Sequence, residues 1–288
     1  MKISLVVPTY NRINFLDSLI SSLECANEEF ELIIVDDASD TEVKRVVSRH
    51  KLGKYVAGEG KGAMYARQRG VEHADGDIIG FLEDDMTVDP NFLKPIINSF
   101  KRGENIVQSR LIEQDKRITD FPKSIYRWNF EHSTNFNAKN KKYISVCQES
   151  GLFVSAEILD SYPVLNSDLV GDYGSSIDFS LRVRSSGRDI LFNPNSKIYH
   201  HKAEFGGTIE MNEKSRARSE EDIQCSNFYK EYYHNLTYIH SKYFKRYLLF
   251  SILYHIIKIM ARAIKYREAQ CVSVCVTGMI IGLNKGIR

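Results

Sequence analysis

Apolar and polar positions follow two rhythms along the first hundred residues, one of strands and one of helices. Ile3-Ser4-Leu5-Val6-Val7 is a short β-branched run ended by Pro8, and it predicts a strand. Phe15, Leu16, Leu19, Ile20 and Leu23 then recur at helical spacing. Glu31-Leu32-Ile33-Ile34-Val35 predicts a second buried strand that stops at Asp36-Asp37. The alternation continues with a helix over 41–50, a short strand at Tyr55-Val56, a helix over 62–74 and a strand over 77–82 that stops at Glu83-Asp84-Asp85. Pro90 suits the first turn of a helix carrying Phe92, Leu93, Ile96, Ile97 and Phe100. Continuous apolar strands separated by helices predict an α/β fold with a mostly parallel sheet covered on both faces. Right-handed crossovers bring the C-terminal ends of such strands to one edge, where open sheets bind ligands. Thr9, Asn11, Asp36, Asp37, Glu83, Asp84 and Asp85 all fall at that edge.

Beyond residue 100 the pattern weakens. Ile106-Val107-Gln108, Tyr143-Ile144-Ser145-Val146, Gly151-Leu152-Phe153-Val154, Asp189-Ile190-Leu191-Phe192 and Lys197-Ile198-Tyr199 are strand-like, and 175–187 is helical. The polar stretch 129–142 and the Gly-, Glu-, Arg- and Ser-rich stretch 205–223 predict loops. Near the C-terminus, Ser251, His255, Lys258, Arg262 and Lys265 are spaced as one stripe of a helix whose remaining surface is apolar. Such a helix suits an anionic membrane surface, with packing on the domain or on a second copy of the chain as the alternative. The apolar run 271–283 is too short to span a bilayer, and Gly278-x-x-x-Gly282 permits close helix packing.

The 288 residues carry a net charge of only +2, which gives no whole-chain case for nucleic acid as a partner. The charge is unevenly divided. Residues 242–288 hold nine basic residues against the single acidic Glu268, so the preceding part is net acidic. The division predicts a domain over 1–241, with halves 1–100 and 101–241, and a basic helical element over 242–288. Five cysteines without metal-ligand spacing, and no secretory signal after Met1-Lys2, point to reduced thiols in the cytoplasm.

Glu83 and Asp85 stand at alternate positions past a buried strand, a spacing that can converge two carboxylates on one hard divalent cation. Such a cation would act as a Lewis acid on a leaving diphosphate. A solvated polar turn is the alternative, and the second acidic strand end, Asp36-Asp37, favours a site.

Six segments in order carry a resemblance. Val6-Val7-Pro8-Thr9-Tyr10-Asn11-Arg12, Val35-Asp36-Asp37-Ala38-Ser39 and Phe81-Leu82-Glu83-Asp84-Asp85 resemble family 2 nucleotide-sugar glycosyltransferases of the GT-A fold. Lys61 to Gly70 is similar to that family's G-x-x-x-A-R-N-x-G segment, with Gln68 at the usual Asn. Asp178-Phe179-Ser180-Leu181-Arg182 and Asn193 to His200 match its second half, so the resemblance covers about residues 3–207. It implies a nucleoside diphosphate sugar donor and a nucleotide-sugar site drawn from Pro8, Thr9, Tyr10, Arg12, Asp36, Asp37, Lys61, Gly62, Arg67 and Asp84. It implies Mn or Mg held by Glu83, Asp85 and His200, with His201 competing for the last place. A carboxylate base would deprotonate an acceptor hydroxyl, which displaces the nucleoside diphosphate with inversion.

The residues also allow plainer roles. Arg67 could be a solvated helix residue, Asp36 a turn cap, and Ser175-x-x-Asp178 a capping box with Asp178 paired to Arg182. The family's usual acid pair is here Ser175-Ser176, which leaves Asp178 as the expected base and Asp172 in reserve. The expected acceptor is a lipid-linked or surface glycan precursor at the cytoplasmic membrane face. The rival readings are a nucleotide-sugar-binding module with little catalysis, a sugar-phosphate nucleotidyltransferase and a membrane-tethered interaction protein.

Overall fold

A computed structural model describes residues 1–40, 42–113, 123–125, 132–134, 140–171, 173–201, 203, 222–266 and 270–287. Most of the expected loops 129–142 and 205–223 lies outside the described residues, as does Asp172.

Strand β1 (Ile3–Thr9) is buried along its whole length, as its unbroken apolar run requires. It pairs in parallel with β2 (Glu31–Asp36) and with β4 (Ile78–Phe81), and β2 pairs in parallel with β3 (Gly53–Ala57). Helices α1 (Ile13–Leu23), α2 (Val43–His50) and α3 (Ala63–Glu72) connect these strands, as the periodicity predicts. Alternate residues of β1 face opposite ways. Ile3, Leu5 and Val7 join α1, α2 and α4 (Leu93–Phe100) in one core, and Val6 joins α3 and the second half of the chain in another.

The second half departs from a parallel sheet. Strand β10 (Leu152–Ser155) enters antiparallel between β4 and β6 (Ile106–Glu113), because it returns directly against the edge that β4 leaves open. The two strands expected over 189–199 are one, β11 (Ile190–His200), which runs parallel to β6 with a register shift between Asn193 and Lys197. The shift accommodates Pro194, which lacks a ladder donor, and Asn193 turns inward to bond the Pro95 carbonyl and the Ser99 hydroxyl. Strand β5 (Met86–Val88) runs antiparallel to β11 and sets His200 opposite Met86. Strand β9 (Lys142–Ile144) also pairs with β11, and β7 (Lys123–Ile125) with β8 (His132–Thr134) forms a separate ribbon. Helices α5 (Ala156–Ser161) and α6 (Ser175–Ser185) cover the β10 side.

Three helices close the chain: α7 (Asp222–Tyr243), α8 (Leu248–Tyr266) and α9 (Gln270–Ile287). Helix α7 crosses the expected boundary at 241/242. It is welded to the preceding domain: the Asn235 side chain bonds the backbone of Val170 and Tyr173, and Tyr238 bonds Asn166 and Asp168. Helix α9 lies along α7 through Gly278, Gly282 and Gly286, each facing backbone of α7 too closely for a side chain. In α8 the expected polar stripe does not face solvent along its whole length. Ser251 and His255 are buried with Ile259, Lys258 is exposed, and the Arg262 and Lys265 side chains lie outside the described residues.

A Cβ at position 282 would stand 2.0 Å from the His234 carbonyl oxygen. Gly282→Ala should therefore destabilise the protein by about 1–3 kcal/mol in urea unfolding. An unchanged midpoint and slope would contradict the packing of α9 on α7.

Candidate active site

The parallel register sets Thr9 opposite Asp36 and lets the chain beyond β4 run past the same edge. At the end of β1, Asn11 takes a left-handed conformation (φ 56°) that turns the chain back, and Arg12 is buried beneath the turn. Asn is one of the few side chains that tolerates that geometry, since its amide bonds locally. Here its Oδ1 accepts the Asp40 amide at 2.8 Å, tying the β1 turn to the β2 turn.

Arg12 organises the acidic segment. Its Nη1 donates to Asp84 Oδ1 at 3.1 Å and lies 3.4 Å from Asp85 Oδ2, which also accepts the Ala203 amide at 3.1 Å. The Thr9 hydroxyl donates to Asp84 Oδ2 at 2.8 Å. Both oxygens of Asp84 are thus engaged inside the protein. Burial pushes the Asp84 carboxyl up to about 6; Arg12 pulls it back down, and neighbouring Asp85 adds to the rise. Asp84 and Thr9 therefore form an internal strut at the strand edge.

Asp85 is held differently. One oxygen is fixed by Arg12 and Ala203, and the other, Oδ1, is buried without a hydrogen bond among the described residues. Burial opposes ionisation of Asp85, but His200, the Ala203 amide and Arg12 outweigh it and hold the carboxyl below its usual range. His200 Nε2 lies 3.4 Å from that Oδ1 and 3.6 Å from Glu83 Oε2. The ligand atoms of Glu83, Asp85 and His200 fall within 4.8 Å of one another. Two carboxylates and an imidazole around one orphaned buried oxygen fit a divalent cation such as Mn or Mg, the imidazole favouring Mn. His201 turns away, with its Nε2 2.8 Å from Thr87 Oγ1, so His200 is the histidine that faces the acids. The convergence of Glu83 and Asp85 arises at a tight turn into β5, not on the extended segment that the spacing suggests.

Arg67 on α3 is buried rather than solvated, and its Nη2 lies 3.1 Å from Glu83 Oε1. Its Nε is buried with no hydrogen-bond partner among the described residues. The Ser150 hydroxyl bonds the same Glu83 oxygen. The neighbouring wall is built by loop braces. Asp37 accepts the amides of Lys61 at 3.2 Å and Gly62 at 2.7 Å, and Gly62 has φ 98°, open to glycine alone at little cost. Asp36 accepts the Ser39 amide at 3.0 Å and the Tyr55 hydroxyl at 3.1 Å, the capping role that the sequence allowed. Pro8 is buried in β1, whereas Tyr10 and the Lys61 side chain are exposed.

Beside Arg67 a small, mostly apolar cleft is lined by Met64, Phe81, Cys147, Leu152 and Phe179, with Glu149, Ser175 and Ser176 among the residues on it. Asp178 is not on it. That residue is fully buried, with Oδ2 accepting from Arg182 Nε at 2.7 Å and Asn166 Nδ2 at 3.0 Å, and Oδ1 accepting from the Tyr243 hydroxyl at 3.1 Å. A carboxylate so enclosed binds α6 to α7, and no face of it is exposed for the base role expected of it. The capping box is absent too: Gly174 precedes the helix, and the Ser175 hydroxyl donates to Glu149 at 2.9 Å instead. Sequence reasoning missed Glu149, Ser150 and Ala203, whose contacts join segments far apart in the chain and leave no local signal.

Residues 4–161 match the model of glycosyl transferase family 2. The chain belongs to that family. A glucosyl-dolichyl phosphate glucuronosyltransferase of Haloferax volcanii is 28% identical over 114 residues, covering 37% of this chain and 36% of that protein. A dolichol-phosphate mannosyltransferase of Pyrococcus furiosus is 28% identical over 123 residues, covering 40% and 35%. An uncharacterised glycosyltransferase of Rickettsia conorii is 27% identical over 179 residues, covering 59% of this chain, which spans about a quarter of that relative. Among solved structures, S. aureus TarS 1–349 with UDP-GlcNAc superposes with a TM-score of 0.59 at 16% identity, covering 84% of this chain and 73% of that one. GalNAc-T7 with UDP, GalNAc and Mn2+ gives 0.61 at 14% identity, covering 82% and 51%. The shared fold is GT-A-like. Family 2 membership sets aside the nucleotidyltransferase alternative.

Replacing the orphaned oxygen tests the metal centre directly. Asp85→Asn keeps an acceptor for the Ala203 amide but removes a charged ligand, so Mn2+ affinity should fall at least about tenfold. Electron paramagnetic resonance of free Mn2+ measures it, and unchanged affinity would contradict the assignment.

Proposed function

We propose that the protein is a metal-dependent inverting glycosyltransferase that moves a sugar from a nucleoside diphosphate donor to an acceptor hydroxyl. The observation that carries this reading is the grouping of Glu83, Asp85 and His200 within 4.8 Å, with one buried Asp85 oxygen facing the imidazole, at the strand edge of a family 2 fold. Glu83, Asp85 and His200 would hold Mn or Mg, which when bound supplies Lewis-acid stabilisation of the leaving diphosphate. Arg67 adds a fixed positive charge beside Glu83 and acts on the same developing negative charge. Asp37 keeps the Lys61–Gly62 turn closed, so that the turn and exposed Tyr10 flank the way into the nucleotide pocket. The mannosyl- and glucuronosyltransferase relatives are named for dolichol-linked sugars, and the TarS and GalNAc-T7 structures contain UDP or a UDP-sugar. These names support a nucleotide-sugar donor and a lipid-linked or surface glycan acceptor for this chain.

An acceptor at a membrane also suits the C-terminal helices. No described helix is long and apolar enough to cross a membrane. Helix α8 nevertheless turns its apolar face outward: Leu249, Phe250 and Ile257 are 66–67% exposed, with Leu253 and Met260 beside them. Exposed Lys245 and Arg246 stand just before the start of this helix. Apolar side chains flanked by cations match the acyl boundary and headgroups of an anionic bilayer. The protein would sit peripherally on the cytoplasmic face.

Two measurements test the two parts. Mn2+ together with one of the common UDP-, GDP- or dTDP-sugars should raise the melting temperature by several degrees, and that sugar without metal should not. Metal-independent stabilisation, or none by any donor, would contradict the reaction. On phosphatidylglycerol vesicles the wild type should co-sediment, and the Leu253→Asp, Ile257→Asp double variant should stay largely in the supernatant. Equal sedimentation of both would remove the lipid reading.

A further inference from the structure

The family's acid pair is absent from α6, where Ser175 and Ser176 face the cleft instead, and Asp178 is sealed inside the protein. The cleft nevertheless contains a carboxylate. Glu149 stands in the turn that leads into β10, is half-buried, and lines the cleft together with Arg67, Ser175 and Ser176. Its Oε1 accepts the Ser175 hydroxyl at 2.9 Å, and its Oε2 takes no hydrogen bond among the described residues.

The surrounding contacts fix that carboxylate in place. Gln148, the preceding residue, donates its amide to the buried Gln108 side chain at 2.8 Å. Ser150, the following residue, bonds Glu83 of the metal group. Glu149 is therefore held between two anchored neighbours, and one anchor reaches the cation ligands. The donating Ser175 orients one oxygen and leaves the other for a proton, the arrangement that a general base requires.

We propose that Glu149 is the catalytic base, supplied from the β10 turn in place of the acids missing from α6. The inference rests on the glycosyltransferase reading. In the step, Glu149 takes the proton of the acceptor hydroxyl as that oxygen bonds to the anomeric carbon. The bond between the anomeric carbon and the diphosphate oxygen breaks, its electron pair leaves with the nucleoside diphosphate, and Glu149 later releases the proton to water. Ser175 is a positioning residue, because it acts through Glu149. With water as acceptor the same chemistry gives donor hydrolysis.

The test uses the full-length protein with Mn2+ and a panel of UDP-, GDP- and dTDP-sugars, reading nucleoside diphosphate release by hydrolysis. Glu149→Gln keeps the acceptor for Ser175 and should lower kcat by about 100-fold or more. Its donor affinity by calorimetry should stay within about threefold of wild type, since binding does not need the base. Adding Ser176→Asp to that variant returns a carboxylate to the same cleft and should restore at least about tenfold of the loss. A Glu149→Gln kcat within about threefold of wild type, or a fall matched by lost donor affinity, would overturn the assignment while the wild-type turnover keeps the glycosyltransferase reading intact. No hydrolysis of any donor by the wild type would overturn both.

Discussion

The site depends on one buried cation, Arg12. Its guanidinium reaches Asp84 and Asp85 together, beneath the end of β1, and three chain segments meet on that pair. A buried ion pair adds little net stability once desolvation is counted, but removing one partner strands the others at a cost of about 3–5 kcal/mol. What Arg12 provides is orientation. With Thr9 it engages both oxygens of Asp84, and with the Ala203 amide it engages one oxygen of Asp85. The remaining Asp85 oxygen can then point only toward Glu83 and His200. The buried face of the pair is structural, and the open face is chemical.

The first half of the fold was legible because its signals are local. Unbroken apolar strands, helices with apolar stripes and acids at strand ends translate directly into parallel pairs with polar residues at one edge. Even Asp36 as a turn brace and Asp178 as the partner of Arg182 were readable at short range. The second half was less legible because its arrangement is decided by pairing between distant segments. Strand β5 is three residues long and carries no periodicity, yet it brings His200 beside Asp85. Burial likewise has no short-range signature: nothing in the sequence around Asp178 announces that Tyr243, sixty-five residues on, closes over it.

The C-terminal helices reversed an expectation for the same reason. Ser251 and His255 look like the wet side of an amphipathic helix, but both are buried, with Tyr233 edge-on to His255 at 5.9 Å between ring centroids. The apolar side is thereby left outward. The glycines of α9 allow its close contact with α7, against which His255 of α8 is also buried through Tyr233. The Asp178 contact with Tyr243 joins α7 to α6, the helix that carries Ser175 and Ser176 of the cleft.

The central claim is that Arg12 and the Ala203 amide aim one Asp85 oxygen at a cation shared with Glu83 and His200. The most direct measurement is a crystal structure of the protein with Mn2+ and UDP, with an anomalous map recorded at the manganese edge. The account predicts a single strong peak bounded by Asp85 Oδ1, Glu83 and His200, with the diphosphate on its open side near Arg67. A peak elsewhere, or bound UDP with no metal between these three side chains, would contradict it.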